Sequence, residues 1–251
     1  MSVDEILKNS KAVALLIDHT ILKPDASQED VAQACAEARH HGFAAVCVNP
    51  YWVRFAAAAI EGSDVKVCTT IGFPLGANAS ETKFGEARIA LIEGANELDV
   101  VQNIGALRSG QLDVLRNEIG QLAKISHARG AILKVILEMC LLTDEEKVTA
   151  CRIAVEAGAD FVKTSTGFAK SGATVEDVRL MRRIVGNAAG VKAAGGIRTL
   201  AEFRTMVKAG ASRIGTSSGV QIMQEPTGAE SAETPKPLAA AKIPGGHLDT
   251  Y

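Results

Sequence analysis

The sequence predicts a (β/α)8 TIM barrel, a single α/β domain with a flexible C-terminal tail. Two observations carry that expectation. Eight apolar, β-branched runs recur along the chain, and six of them are entered through a glycine that ends a helical stretch. Glycine past the last helical turn adopts a left-handed backbone without steric cost, so it marks a helix stop. The runs recur every 20 to 36 residues or so, roughly the interval one βα unit requires. An open doubly wound sheet shares this alternation; the strand count and a phosphate-type loop cluster after the last strands favour the barrel.

In chain order the predicted strands are 15–20, 43–49, 65–72, 95–101, 131–138, 159–165, 191–196 and 211–217. The stops are His41-Gly42, Glu93-Gly94, Arg129-Gly130, Ala157-Gly158, Ala189-Gly190 and Ala209-Gly210. Helix starts are equally regular. Thr143-x-x-Glu146 and Thr199-x-x-Glu202 spell capping boxes, and Ser27-x-x-Asp30 and Thr174-x-x-Asp177 are looser versions. Val148, Cys151, Ile153 and Val155 behind one start, and Phe203, Met206 and Val207 behind another, form core-facing stripes. The uninterrupted run Leu133-Lys-Val-Ile-Leu reads as a strand buried on both faces, as parallel strands are. The barrel is expected over residues 1–224. From 225 to 251 the chain holds four prolines and little periodicity, which predicts a mobile tail because too little apolar area is available to offset its ordering entropy.

Composition narrows the partners. With 27 Lys+Arg against 29 Asp+Glu, the net charge of −2 gives no electrostatic reason to bind nucleic acid or an anionic membrane. Seven Phe, two Tyr and one Trp leave few platforms for base stacking. Acidic Asp4 and Glu5 stand where a secretory signal would be basic, and the most apolar stretch, Gly42 to Ile60, is broken by Asn49-Pro50 and Arg54. A cytoplasmic protein is expected. Five cysteines with no C-x-x-C pair suggest reduced, mostly buried thiols.

Barrel chemistry sits at the C-terminal strand ends. Asp18, Thr20, Cys47, Asp99, Lys134, Lys163 and Lys192 fall there or within the strands. Lysine between apolar strand residues is unusual unless it pairs or reacts, since an unpaired buried ammonium is costly. Two readings follow for Lys163 and Lys192, on consecutive strands. In one, each ammonium disfavours the other's charge and burial acts the same way, leaving a neutral amine able to attack a carbonyl, with Asp99 moving protons. In the other, the lysines bind phosphate or pair with Asp99, Asp160 or Glu138. Thr166-Gly167, Gly195-Gly196 and Ser217-Ser218-Gly219 offer N–H donors and hydroxyls around a phosphorylated small substrate. Only His19 among the five histidines stands at a strand end, so three zinc ligands cannot be assembled. No metal and no cofactor are expected. His19 reads as a structural hydrogen-bonding residue and Cys47 as a packed thiol.

Eight segments, including Leu16-Ile-Asp-His-Thr-Ile-Leu-Lys-Pro24, Val46-Cys-Val-Asn-Pro50, Glu97-Leu-Asp-Val-Val-Gln-Asn-Ile-Gly105, Phe161-Val-Lys-Thr-Ser-Thr-Gly-Phe168 and Val191-Lys-Ala-Ala-Gly-Gly-Ile-Arg198, together resemble the deoxyribose-phosphate aldolase family over residues 11–223. The resemblance implies a metal-free class I aldolase that reversibly cleaves 2-deoxy-D-ribose 5-phosphate to glyceraldehyde 3-phosphate and acetaldehyde. It further implies that Lys163 is the Schiff-base nucleophile, that Lys192 promotes its deprotonation, and that Asp99 transfers protons. Gly167, Gly195, Gly196, Ser217 and Ser218 fall where the family holds phosphate. Some members end in a tyrosine that reaches the site, and this chain ends in Tyr251. A homo-oligomer, dimer or tetramer, is expected. The alternatives at this point are a phosphosugar isomerase or epimerase using Asp99 as base, and a non-catalytic phosphosugar-binding protein.

Overall fold

The computed structural model describes residues 3–225. Eight parallel strands close into a barrel in sequence order: β1 (Ile17–Ile21), β2 (Ala45–Val48), β3 (Lys66–Ile71), β4 (Glu97–Val101), β5 (Ile132–Ile136), β6 (Phe161–Lys163), β7 (Gly190–Ala194) and β8 (Arg213–Thr216). Around them lie α1 (Val3–Ile6), α2 (Ser10–Ala14), α3 (Gln28–His41), α4 (Val53–Ala59), α5 (Ser80–Ile92), α6 (Ile104–Arg108), α7 (Leu112–His127), α8 (Asp144–Glu156), α9 (Val175–Val185), α10 (Leu200–Ala209) and α11 (Gly219–Gln224). The TIM barrel expected from the sequence is therefore the fold. No helix among the described residues is long and apolar enough to cross a membrane. Apart from Glu225, the expected tail lies outside the described residues, as does Tyr251.

The helix punctuation is built as the sequence spells it. Ser27, Thr143 and Thr199 each accept a hydrogen bond from the N–H three residues on and receive the reciprocal carboxylate, while Thr174 accepts from Asp177 N–H at 3.1 Å. Gly42, Gly94, Gly130, Gly158 and Gly210 all have positive φ. Gly190 is the exception. Helix α9 is already ended by Gly186 at φ 54°, and Gly190 opens β7 instead. Its lack of a side chain serves packing, because a Cβ there would lie 2.1 Å from the Phe161 ring. The first strand also begins later than expected: Leu15 is the exposed C-cap of α2, a helix whose Asn9 cap accepts from Ala12 N–H.

Side chains alternate across each strand, so one set faces the helices and the other the barrel axis. The outward set, including Val46, Val67, Leu98, Val135, Val162 and Ile214, joins one continuous apolar layer with the helices. Into it come the predicted Cys151, Ile153, Phe203, Met206 and Val207, whereas Val148 and Val155 are only half-buried. The inward set is mostly ionic, which is unusual for a fold whose axis is ordinarily filled by branched apolar residues.

A second buried ion pair braces the outer layer. Lys83 of α5 contacts Glu118 of α7 at 2.7 Å and donates to the Val101 carbonyl at 2.9 Å, and Ser80 Oγ donates to the other Glu118 oxygen. Gly72 leaves room for this lysine, since a Cβ would lie 2.8 Å from Lys83 Cε. Removing one partner strands a buried charge, so Glu118→Ala is expected to destabilise the fold by about 3–5 kcal/mol. Urea denaturation of the variant checks it, and a midpoint equal to wild type would contradict it.

Candidate active site

The inward positions of adjacent strands bring the expected residues into one network. Register pairs Lys163 with Lys192, Asp99 with Lys134, and Lys192 with Arg213 on neighbouring strands. Asp99 is at the centre. Its Oδ2 accepts from Lys163 at 2.8 Å and from Lys192 at 2.7 Å, and its Oδ1 accepts from Lys134 at 2.8 Å. Lys134 also meets Glu97 at 2.6 Å, and Lys192 meets Asp18 at 2.5 Å. At the far end Arg213 closes on Asp18 at 2.6 Å and on Glu97 at 3.2 Å, with its guanidinium over the Phe161 ring. Cys68 donates its S–H to Asp99 at 3.2 Å, and buried Cys47 contacts Cys68.

Proximity sets the charge states. Burial opposes ionisation of Asp99, but Lys134, Lys163 and Lys192 hold its carboxyl well below the usual carboxylate range. Asp18 is likewise held low against burial by Lys192, Arg213 and Lys134. Burial would pull the Lys192 ammonium down, as the sequence led us to expect. Asp18 and Asp99 outweigh it and raise Lys192 above the ordinary lysine value, which corrects that expectation. Lys134 is raised for the same reason, with burial overcome by Asp99, Cys68 and Glu97. Burial pushes the Cys68 thiol well up. Cys47, Cys68 and Asp99 have donor atoms close enough for a metal ion, as do Asp18, Cys68 and Glu97. Lys134 already supplies a cation to those atoms, lying 3.3 Å from Cys68 Sγ as well as against Glu97 and Asp99.

Above the network, at the C-terminal strand ends, opens a cavity of about 550 Å³. Lys163 lines it, and Lys134 and Lys192 do not. Gly167, Gly195, Gly196, Ser217 and Thr20 line it too. Ser218 is set behind them as the residue preceding α11, its N–H donating to Thr216 Oγ1 at 2.9 Å. His19, which also lines the cavity, meets Glu37 at 2.6 Å.

Glu97, Arg213, Lys23 and Arg198 were not singled out from sequence, whereas Glu138 and Asp160 were read there as possible lysine partners. Glu97 and Arg213 complete the ionic chain; the two-residue strand period counted back from Asp99 marks Glu97 as inward, whereas Arg213 is located only by the register of β8 on β7. Lys23 and Arg198 line the cavity and add positive charge. Glu138, buried at φ 54°, accepts from Thr166 through both its N–H and its hydroxyl, and Thr166 Oγ1 in turn accepts from Phe168 N–H at 3.0 Å. The carboxylate thus fixes the loop that carries Gly167. Asp160 takes no part, being bound to His127 and to Leu133 N–H.

A buried lysine facing a polar cavity beside a shared carboxylate is chemistry suited to carbonyl attack, and comparison with known proteins agrees. A model of the DeoC/LacD family aldolases matches residues 12–225. The chain belongs to that aldolase family. A deoxyribose-phosphate aldolase of Brevibacillus brevis is 59% identical over 216 residues, covering 86% of this chain and 95% of the relative. One of Thermococcus gammatolerans is 57% identical over 223 residues, covering 88% of this chain and 98% of the relative. Among solved structures, the deoxyribose phosphate aldolase of Aeropyrum pernix, described as a tetramer, is 35% identical with a TM-score of 0.81, covering 89% of this chain and 97% of that one. The chain is thus an aldolase, a carbon–carbon lyase, and not one of the alternative classes.

The cavity glycines Gly167, Gly195 and Gly196 all have positive φ, and Gly195 is also hemmed in by a neighbouring loop. Gly195 has φ 89°, and a Cβ there would lie 2.8 Å from Gly172 Cα on the neighbouring loop. Gly195→Ala is expected to weaken binding of inorganic phosphate roughly tenfold or more, given about 1–3 kcal/mol of backbone strain. Titration calorimetry reads it, and unchanged affinity would separate this loop from anion binding.

Proposed function

We propose that the protein reversibly cleaves 2-deoxy-D-ribose 5-phosphate to D-glyceraldehyde 3-phosphate and acetaldehyde through a Schiff base on Lys163. One observation carries the assignment of the nucleophile: of the three lysines bound to Asp99, only Lys163 lines the cavity. It also has the fewest anionic partners. Lys163 touches one carboxylate, Lys192 two and Lys134 three.

The steps follow from that placement. Neutral Lys163 adds to the C1 aldehyde of the open-chain sugar, and uptake of one proton with loss of water from the carbinolamine leaves a protonated imine. The C3 hydroxyl gives up its proton as the C2–C3 bond breaks, its electrons flowing into the imine to form an enamine and release glyceraldehyde 3-phosphate. Protonation at C2 and hydrolysis return acetaldehyde and free Lys163. Asp99 carries these protons in this reading, which its contacts to Lys163 and Lys192 through one oxygen support. The phosphate is assigned to Gly167, Gly195, Gly196, Ser217 and Ser218, helped by Lys23 and Arg198. Asp18, Thr20, Cys47 and Lys134 support the network from the strands. Tyr251, carried over from the family resemblance as a proton donor to the enamine, lies outside the described residues. We also assign a cytoplasmic setting, supported by five free cysteines, and self-association, supported by exposed Ile89 and Ile92 on α5 and by the tetrameric Aeropyrum relative.

Borohydride reduction with acetaldehyde is expected to leave an ethyl group on Lys163, identified by peptide mass spectrometry; an adduct that survives in Lys163→Ala would overturn the assignment. Asp99→Asn keeps the shape but loses the proton carrier and the charge, and is expected to lower kcat by about 10²-fold or more. Steady-state retro-aldol kinetics test this, and a change confined to KM would remove Asp99 from the proton path.

A further inference from the structure

The barrel axis holds four cations, Lys134, Lys163, Lys192 and Arg213, against three carboxylates, Asp18, Glu97 and Asp99, all joined by contacts of 3.8 Å or less. Fully ionised, this network carries one uncompensated positive charge in a buried site, where excess charge is poorly tolerated. We propose that Arg213 is a positioning residue acting through charge: it supplies the surplus cation that makes Lys163 the member of the network that gives up a proton. The inference rests on Lys163 being the Schiff-base lysine.

Each strand contributes a titratable or charged group to this balance. They are Asp18 from β1, Cys47 from β2, Cys68 from β3, Glu97 and Asp99 from β4, Lys134 from β5, Lys163 from β6, Lys192 from β7 and Arg213 from β8. Arg213 keeps its charge under all working conditions, and against burial Asp18 and Glu97 raise it further. Lys134 and Lys192 are each clasped by at least two carboxylates. Lys163 has a single carboxylate oxygen, which it shares with Lys192, so its proton is the one whose loss breaks fewest contacts. Cys68 stays a thiol. For Cys47, the Cys68 hydrogen bond pulls the thiol down against burial, making it the one competing site for the adjustment. Arg213 lies at the opposite end of the network from the substrate cavity and does not line it, so it touches no reacting atom.

The sign is fixed by electrostatics. Deleting the Arg213 charge leaves three cations against three carboxylates, a matched set in which the Lys163 ammonium is kept. The rising limb of the kcat/KM against pH profile then moves to higher pH. Deleting a carboxylate at the same end, as in Glu97→Gln, widens the imbalance and moves the limb to lower pH. The test records these profiles for the full-length wild type, Arg213→Met, Arg213→Lys and Glu97→Gln, with borohydride trapping at Lys163 on the wild type. Arg213→Met is expected to shift the limb up by about one pH unit, the order of effect a unit charge exerts across a few side chains in a protein interior. Arg213→Lys is expected to restore the wild-type limb, and Glu97→Gln to shift it down. Should Arg213→Met fail to fold, the downward shift in Glu97→Gln still decides. A loss of rate with no movement of either limb, or movement of both in one direction, overturns the proposal. The upward shift is also expected to persist in a Cys47→Ser background, and its disappearance there would assign the balance to the thiol. Failure to trap Lys163 in the wild type would instead remove the Schiff-base reading beneath it.

Discussion

The contact on which the site depends is the one between Asp99 and its three lysine partners. A carboxylate sealed inside a barrel is tenable only when its desolvation is offset by fixed opposite charges, and each of those lysines is tenable only because of Asp99 and its companions. The same mutual dependence fixes geometry. Three lysines from three strands converge on two oxygen atoms, so none has freedom to rotate away, and the one facing the cavity is aimed at whatever enters it. Preorganisation of this kind is what places a nucleophile within attacking distance before substrate arrives.

Around that centre the structure separates stability from chemistry by direction. The outward strand residues and the helices make the apolar layer that drives folding, while the inward ones make the ionic chain. Loops then divide the remaining work. Those after β6 and β7 carry the glycines of the cavity, and buried Glu138, held in a left-handed backbone after β5, steadies the first of them through Thr166. The Phe73 and Phe168 rings meet edge to face at 5.2 Å, tying the loop after β3 to the loop after β6 across the barrel mouth.

Much of this was legible in the chain because it is written locally. Capping residues and left-handed glycines act over three or four positions, so Thr143, Thr199, Gly42 and Gly158 announce helix ends without knowledge of the fold. Lys163, Lys192 and Asp99 stood out because charges interrupt apolar strands. What was not legible depends on closure. Gly190 is small because of a ring brought from another strand, and Lys192 is held charged by Asp18, a residue far away in sequence. Arg213 carries no signal of its own in the sequence, and its place follows from the pairing of β8 with β7 and β1.

That closing contact has a consequence during synthesis. Asp18 and Arg213 belong to the first and last strands, 195 residues apart, and the chain between them carries every other member of the network. A ribosome-bound chain lacking β8 lacks the Arg213 partner of Asp18 and Glu97, so the ionic ring closes only after the last strand has joined. On the proposed chemistry, the surroundings of Lys163 are therefore complete only when the chain itself is.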